Sequence, residues 1–248
     1  MTKEHTYKLE LEYDGTRFAG WQIQPNARTV QNVIEEALEK VLHQPVRLIA
    51  AGRTDAGVHA SGQVASFKTT SDIESNRLKR ALNALIPRDV TVLELTQAPD
   101  GFNARYDALS RTYRYTISSR RLSLGRAYAW HVPYKLDRDL LAASTGCIEG
   151  ECDLRGFSKG RDEHDYSTVI LKNQWMFHDN FMIFEICAVR FFHHAVRGIV
   201  GSSVEVARGK APADLIQRIL ETHDRKLAGP TAPALGLCLV SVEYGGQK

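Results

Sequence analysis

The segment Ala51-Gly52-Arg53-Thr54-Asp55-Ala56-Gly57-Val58-His59-Ala60 places a carboxylate and a guanidinium close together between two glycines that can take positive φ. The positive charge of Arg53 favours the ionised form of Asp55, and a carboxylate nucleophile must be ionised. A glycine-bounded turn also lets backbone approach a bound group closely. Asp, Gly and Thr are equally the residues of an ordinary surface turn, so this segment alone leaves both interpretations open.

A second group of residues is suited to binding nucleic acid. Between Arg105 and Arg126 the chain has six arginines and a single acid, Asp107, and Tyr106, Tyr113 and Tyr115 lie among them. Arginine forks onto phosphate and aromatic rings stack on bases, so the pattern is typical of a nucleic-acid-binding face. The alternative is a solvated strand and loop whose charges have no partner.

Composition excludes several classes of protein. The chain has 248 residues, 43% of them apolar and 25% charged, with a net charge of +3, as in an ordinary globular protein. It has neither the run of about 18 apolar residues that a membrane span needs nor an apolar secretion signal at its start. Its four cysteines are too few for a disulfide framework and lack zinc-finger spacing, so we expect a cytoplasmic protein without a structural metal.

The secondary-structure elements that position these residues are predicted in the order β-α-β-β-α-β. The same order is predicted a second time in the later half of the chain. Alternation over residues 7–13 predicts a strand, and Thr29 is the expected N-cap of the next helix. In the second half we predict a helix over 136–148 opened by Asp137, a hairpin turning at Asp179-Asn180, and a helix from Pro212. The expectation is an α+β fold of two ferredoxin-like halves, residues 1–107 and 108–248. Their antiparallel sheets would flank a central RNA-binding cleft faced by the Asp55 loop.

Five segments resemble, in the family's order, the TruA family of tRNA pseudouridine synthases. They are Tyr13–Gln22, Gly52–Ala60, Arg111–Tyr115, Val196–Gly201 and Ala232–Leu237. The resemblance implies conversion of uridine to pseudouridine at positions 38 to 40 of the tRNA anticodon stem-loop. It also implies a homodimer that uses no metal and no organic cofactor. Two departures stand out: Ala195 replaces the family's usual methionine, and Cys152–Ser158 follows the family's counterpart only loosely.

The resemblance assigns catalytic roles to several residues. Asp55 is the expected nucleophile, and the sequence leaves open whether it attacks the sugar, attacks the base or promotes elimination to a glycal. Arg53 either enters the stack vacated by the extruded uridine and orients Asp55, or is a surface cation. Arg197, in an apolar helix, either pairs with Asp55 or extends to solvent.

Other residues are assigned to substrate binding. Tyr113 either stacks on the extruded uracil, with its hydroxyl near the migrating ring, or is a core tyrosine. Leu237 either forms the floor of the uracil pocket or belongs to the core. Arg111, Arg114 and Arg121 are assigned to RNA phosphates as a group.

Three functions are compatible with these residues: a tRNA pseudouridine synthase, a catalytically silent RNA-binding module, and a carboxylate enzyme acting on another glycosidic substrate. Binding alone does not require an acid beside Arg53, because a carboxylate repels phosphate. A hydrolase normally has a second acid to activate water, and the Asp55 motif offers none. We therefore favour the synthase.

Overall fold

The computed structural model describes residues 4–160 and 165–245. Within these ranges the protein is α+β, with five α-helices and ten mostly antiparallel strands. The chain forms two compact units: the first contains residues up to 109 together with those from 239 onward, and the second contains residues 110–238. The predicted boundary at 107 lies close to this division, whereas the last strand is grouped with the first unit. No helix in the described ranges has the length and hydropathy that a membrane crossing requires.

The first unit follows the predicted element order. Its strands pair in the order β4-β1-β3-β10, and the short β2 pairs with β3. The elements are β1 (His5–Tyr13), α1 (Val30–Leu42), β2 (Ile49–Ala50), β3 (His59–Thr69), α2 (Ser75–Leu85), β4 (Val90–Ala98) and β10 (Leu237–Tyr244).

Local sequence signals explain these elements. Alternate β1 side chains are buried, as period-2 alternation predicts. The predicted cap of α1 is confirmed, since the Thr29 side chain accepts a hydrogen bond from the Asn32 backbone N–H. Tyr7 stacks on Phe67 of β3 with ring centroids 5.3 Å apart. The buried side chains of this unit include Leu9 and Leu11 of β1, Ile34 and Leu38 of α1, and Leu78 and Leu82 of α2.

The second unit contains strands paired in the order β5-β9-β8-β7, with β6 parallel to β5. The elements are β5 (Ala108–Ser118), β6 (Trp130–His131), α3 (Arg138–Ser144), β7 (Gly150–Asp153), β8 (Ser167–His178), β9 (Phe181–Ala188), α4 (Ala195–Ala207) and α5 (Leu215–Thr222).

Sequence predictions in this unit were right about most elements and less accurate about their ends. The β8–β9 hairpin turns where predicted, with Asp179 at φ 49°. Asp137 caps α3, but the helix ends at Ser144 instead of residue 148. The helix predicted from Pro212 begins at Leu215. Strand β7 was not predicted, because its four residues are too few to show a period.

Candidate active site

The Asp55 turn connects β2 to β3 in the first unit. Asp55 is half-buried and Arg53 is exposed. The turn closes through a hydrogen bond from the Val58 N–H to the Asp55 carbonyl at 3.1 Å. Gly57 takes φ 78°, whereas Gly52 is not in the positive-φ region. Arg53 is exposed, and the predicted steadying of Asp55 by Arg53 stays a prediction.

The first motif, Tyr13–Gln22, holds this turn in place. The Trp21 N–H donates to the Thr54 carbonyl at 3.0 Å, and the Gly57 N–H donates to the Phe18 carbonyl at 3.2 Å. The hydroxyls of Tyr13 and Thr54 share a buried hydrogen bond of 2.8 Å. Residues on both sides of Asp55 are thus bonded to one segment, which fixes the backbone that carries the carboxylate.

Two further residues restrict the turn. A Cβ at Gly20, whose φ is 96°, would lie 2.8 Å from the Thr54 carbonyl oxygen, so no side chain fits there. Gln63 is fully buried on β3, and its Nε2 donates to the Gly52 carbonyl at 2.7 Å. Gln63 was not among the predicted site residues, although a lone amide in a buried strand must satisfy its hydrogen bonds, and this requirement is a usable signal.

His59 has a structural role. It is 5% exposed, and its Nδ1 accepts a hydrogen bond from the Gly15 N–H at 3.0 Å. The same Nδ1 lies 3.2 Å from the Asp14 Oδ1. The imidazole therefore ties the start of β3 to the 3-10 helix Gly15–Arg17.

Tyr113 lies on β5 in the second unit. It is 7% exposed, and its ring meets Phe191 edge to face, with centroids 5.1 Å apart and an interplanar angle of 86°. Edge-to-face ring pairs stabilise a protein beyond the apolar area that they bury. The Tyr113 ring is therefore packed against Phe191, and its predicted contact with uracil stays a prediction.

Arg197 on α4 binds the fifth motif. Its Nε donates to the Ala232 carbonyl at 2.8 Å, and the Ala232 N–H donates back to the Arg197 carbonyl at 3.1 Å. The side chain is half-buried, so part of the predicted cost of a cation in an apolar helix is offset by this bond. The predicted ion pair with Asp55 remains a prediction.

Tyr115 holds the same motif from β5. Its side chain is fully buried, and its hydroxyl donates to the Pro233 carbonyl at 2.7 Å. Burial raises the pKa of this phenol strongly, and the charge of Arg197 opposes the shift only in part. A Cβ at Gly236 would lie 2.6 Å from the Tyr115 ring. The segment leading to Leu237, which is 6% exposed at the start of β10, is therefore fixed by both β5 and α4.

The three arginines assigned to phosphates have different surroundings. Arg111 is 8% exposed and donates to the Val189 carbonyl at 2.7 Å. Arg114 pairs with Glu185 at 2.8 Å, and Lys172 pairs with the same carboxylate at 3.0 Å. The hydrogen bonds from these two cations lower the pKa of the Glu185 carboxyl. Arg121 is exposed. Arg121 is the best placed of the three for phosphate, while Arg111 and Arg114 also stabilise the sheet; the phosphate assignment stays a prediction for all three.

Comparison with known sequences decides between the three functions left by the sequence. Residues 11–107 and 147–245 match the family model described as tRNA pseudouridine synthase. The chain belongs to this family. The predicted resemblance and the prediction of an isomerase are therefore confirmed, and the binding module and the hydrolase are not supported.

Curated relatives cover nearly the whole chain. Proteins named tRNA pseudouridine synthase A from Geotalea daltonii and Moorella thermoacetica are 41% and 40% identical to it, each match covering 96% of this chain and 98% of the relative. The protein of that name from Acetivibrio thermocellus is 42% identical over 240 residues, with the same coverage. A solved chain from an H/ACA ribonucleoprotein bound to a substrate RNA is similar only weakly, with 10% identity, coverage of 80% of this chain and 53% of that chain, and a TM-score of 0.35.

Proposed function

We propose that this protein converts uridine to pseudouridine at positions 38 to 40 of the tRNA anticodon stem-loop, with Asp55 as the nucleophile. The observation that carries the proposal is the Asp55 turn. Its half-buried carboxylate sits on backbone that is bonded on both sides to the Tyr13–Gln22 segment. Such restraint is what a nucleophile needs, because catalysis depends on a reacting group held close to its attack geometry.

The reaction assigns a task to each residue. The N1–C1′ bond of uridine breaks and a C5–C1′ bond forms, while C5 loses a proton and N1 gains one. Asp55 attacks the nucleotide, and the bond that it forms breaks again before the product is released, which regenerates the carboxylate. The exposed Arg53 fills the stack that the uridine vacates. In the second unit the Tyr113 ring stacks on the detached uracil, and Leu237 contacts the same base. Arg197 supplies a positive charge that pairs with the carboxylate.

We also propose a finer architecture for the two halves of the chain. Each half is ferredoxin-like, residues 1–107 carrying the nucleophile and 108–248 completing the RNA-binding cleft. The element order β-α-β-β-α-β and the strand order β4-β1-β3 in the first unit support this assignment. The protein acts as a cytoplasmic homodimer without metal or organic cofactor, as the family resemblance implies. Light scattering at micromolar concentration tests the dimer, and activity in chelator tests the independence from metal.

The catalytic proposal is tested with Asp55→Asn. We expect this variant to release no tritium from tRNA labelled at uridine C5 and to bind tRNA with a Kd within about twofold of the original, since the amide keeps the side-chain shape but is a poor nucleophile. Asp100→Asn, which changes an exposed acid in the same unit, is the matched control and retains turnover. Normal tritium release by Asp55→Asn would contradict the assignment.

The position of the modified nucleotide is tested separately. Transcripts of one tRNA that carry uridine only at position 38, 39 or 40 within the anticodon arm are incubated with the protein, and pseudouridine is mapped by chemical labelling and sequencing. Modification confined to these positions supports the proposal. Modification elsewhere in the tRNA, with none at these three, would refute the site while leaving the chemistry intact.

A further inference from the structure

A cavity in the second unit is not used by the proposed chemistry. Its volume is about 330 Å³, and it lies beside two 3-10 helices, Arg155–Phe157 and Arg225–Leu227. The described side chains that line it include Arg155, Ser158, Tyr166, His223, Arg225 and Lys226. Arg155 comes from the segment Cys152–Ser158, which follows the family's counterpart only loosely.

The cavity has more positive than negative groups available for a ligand. Arg225 and Lys226 are exposed, and in the described part of the chain neither side chain forms an ion pair with a carboxylate. The Asp224 carboxylate also lines the cavity, but it accepts the Lys226 backbone N–H at 2.9 Å as the cap of its 3-10 helix. Among the described lining residues, the cations Arg155, Arg225 and Lys226 therefore outnumber the single carboxylate of Asp224.

Arg155 adds a third cation that is incompletely paired. Its Nη2 lies 3.6 Å from Asp153 Oδ2, a distance too long for a strong charge-assisted hydrogen bond. Its Nε is buried and has no hydrogen-bond partner among the described residues. A buried N–H without an acceptor is destabilising, so a ligand that supplies an acceptor to this guanidinium would be stabilising.

We propose that this cavity binds a backbone phosphate of the RNA substrate, at a site separate from the reacting uridine. The proposal rests on the proposed function, which makes RNA the substrate. Two guanidinium groups and an ammonium provide the donors that phosphate prefers. Because Arg225 and Lys226 lie at an exposed rim, they suit a phosphate on a polymer, which positions RNA without reading its sequence. A free phosphate offers the same chemistry, and the experiment separates the two sources.

The test uses the full chain and the double variant Arg225→Gln with Lys226→Gln. The matched control is Lys210→Gln with Arg218→Gln, which removes two exposed positive charges from the same unit outside the cavity. The Kd for tRNA is measured between 50 and 300 mM NaCl. We expect the cavity variant to bind tRNA about tenfold more weakly at 100 mM NaCl and to flatten the plot of log Kd against log salt by about one unit. The control should change the slope by less than half of that.

Equal slopes for the cavity variant, the control and the original chain would overturn the proposal. A second measurement identifies the source of the phosphate: the Tm is recorded in 0 and 20 mM inorganic phosphate at constant ionic strength. If the cavity variant loses a phosphate-induced rise in Tm but shows the same salt dependence of tRNA Kd as the original chain, the site takes free phosphate and the RNA proposal is wrong. A flatter salt dependence of tRNA Kd in the cavity variant supports the proposal.

The readouts also separate this inference from the proposed function. If the salt dependence of tRNA Kd differs between the original chain and the cavity variant as expected, but the original chain forms no pseudouridine, the catalytic proposal fails and the phosphate site stands. If it forms pseudouridine and the cavity variant binds tRNA like the control, only the phosphate site fails. Arg155→Gln is a third variant, and we expect a smaller loss of affinity from it because Asp153 lies near its guanidinium.

Discussion

Replacing Gly20 by alanine tests whether the position of the Asp55 turn controls the chemistry. The new Cβ would lie 2.8 Å from the Thr54 carbonyl oxygen and 3.1 Å from the Asp55 carbonyl carbon, whereas ordinary contact begins at 3.4 Å. The turn must therefore move by about 0.6 Å, the difference between 3.4 and 2.8 Å. A misplacement of 1 Å can cost about 100-fold in rate, so we expect kcat to fall on the order of tenfold.

Gly101→Ala is the matched control for Gly20→Ala. Gly101 belongs to the same unit and has φ 86°, close to the 96° of Gly20, but a Cβ there meets nothing within 4 Å. Both variants lose about 1–3 kcal/mol of stability to backbone strain, and only Gly20→Ala displaces the turn. The assay is single-turnover tritium release from C5-labelled tRNA, with Tm measured in parallel. Equal rates for two folded variants would refute the reasoning.

Three further predictions concern the second unit. Glu185→Gln should lower Tm at pH 7 by an amount equivalent to about 1 kcal/mol. Because folding lowers the pKa of Glu185 from 4.5, its ion pairs stabilise the protein where the carboxylate is ionised, and the difference between variant and original should vanish as the pH falls well below 4.5. Melting curves recorded across this pH range test the prediction. Tyr115→Phe should lower Tm by roughly 2–4 °C in calorimetry, because the Pro233 carbonyl loses its hydrogen bond. Arg121→Gln should flatten the salt dependence of tRNA affinity more than Arg114→Gln, because Arg114 is paired with Glu185.

Much of the fold could be predicted because its signals are local. The alternation of β1, the Thr29 and Asp137 caps, and the turn at Asp179 each depend on residues a few positions apart. These signals fix the type and order of elements. They fail at ends and in short elements, as with β7 and with the last turn of α3, where tertiary packing decides.

The candidate site could be predicted only in its residue types. The sequence indicated that Asp55 matters, but the groups that hold it are distant in the chain: Tyr13 is 41 positions from Thr54. The ion pair between Arg114 and Glu185 could not be predicted either, because the two residues are 71 positions apart in the chain. A pattern of charges in one segment does not show which of them are already paired across a sheet, and Arg111 was assigned to phosphate although its side chain is buried.

The contacts explain why these motifs occur together. In the first unit the Tyr13–Gln22 segment bonds the Asp55 turn, and in the second Tyr115 and Arg197 bond the Ala232–Leu237 segment. A substitution in the Tyr13–Gln22 segment should therefore act by moving the Asp55 turn. The loss in catalytic rate should follow this displacement more closely than it follows the loss in stability. Variants such as Gly20→Ala should consequently lose activity at temperatures where they are fully folded. If activity instead tracked the folded fraction alone, the two motifs would be only parts of the core, and their shared presence would need another explanation.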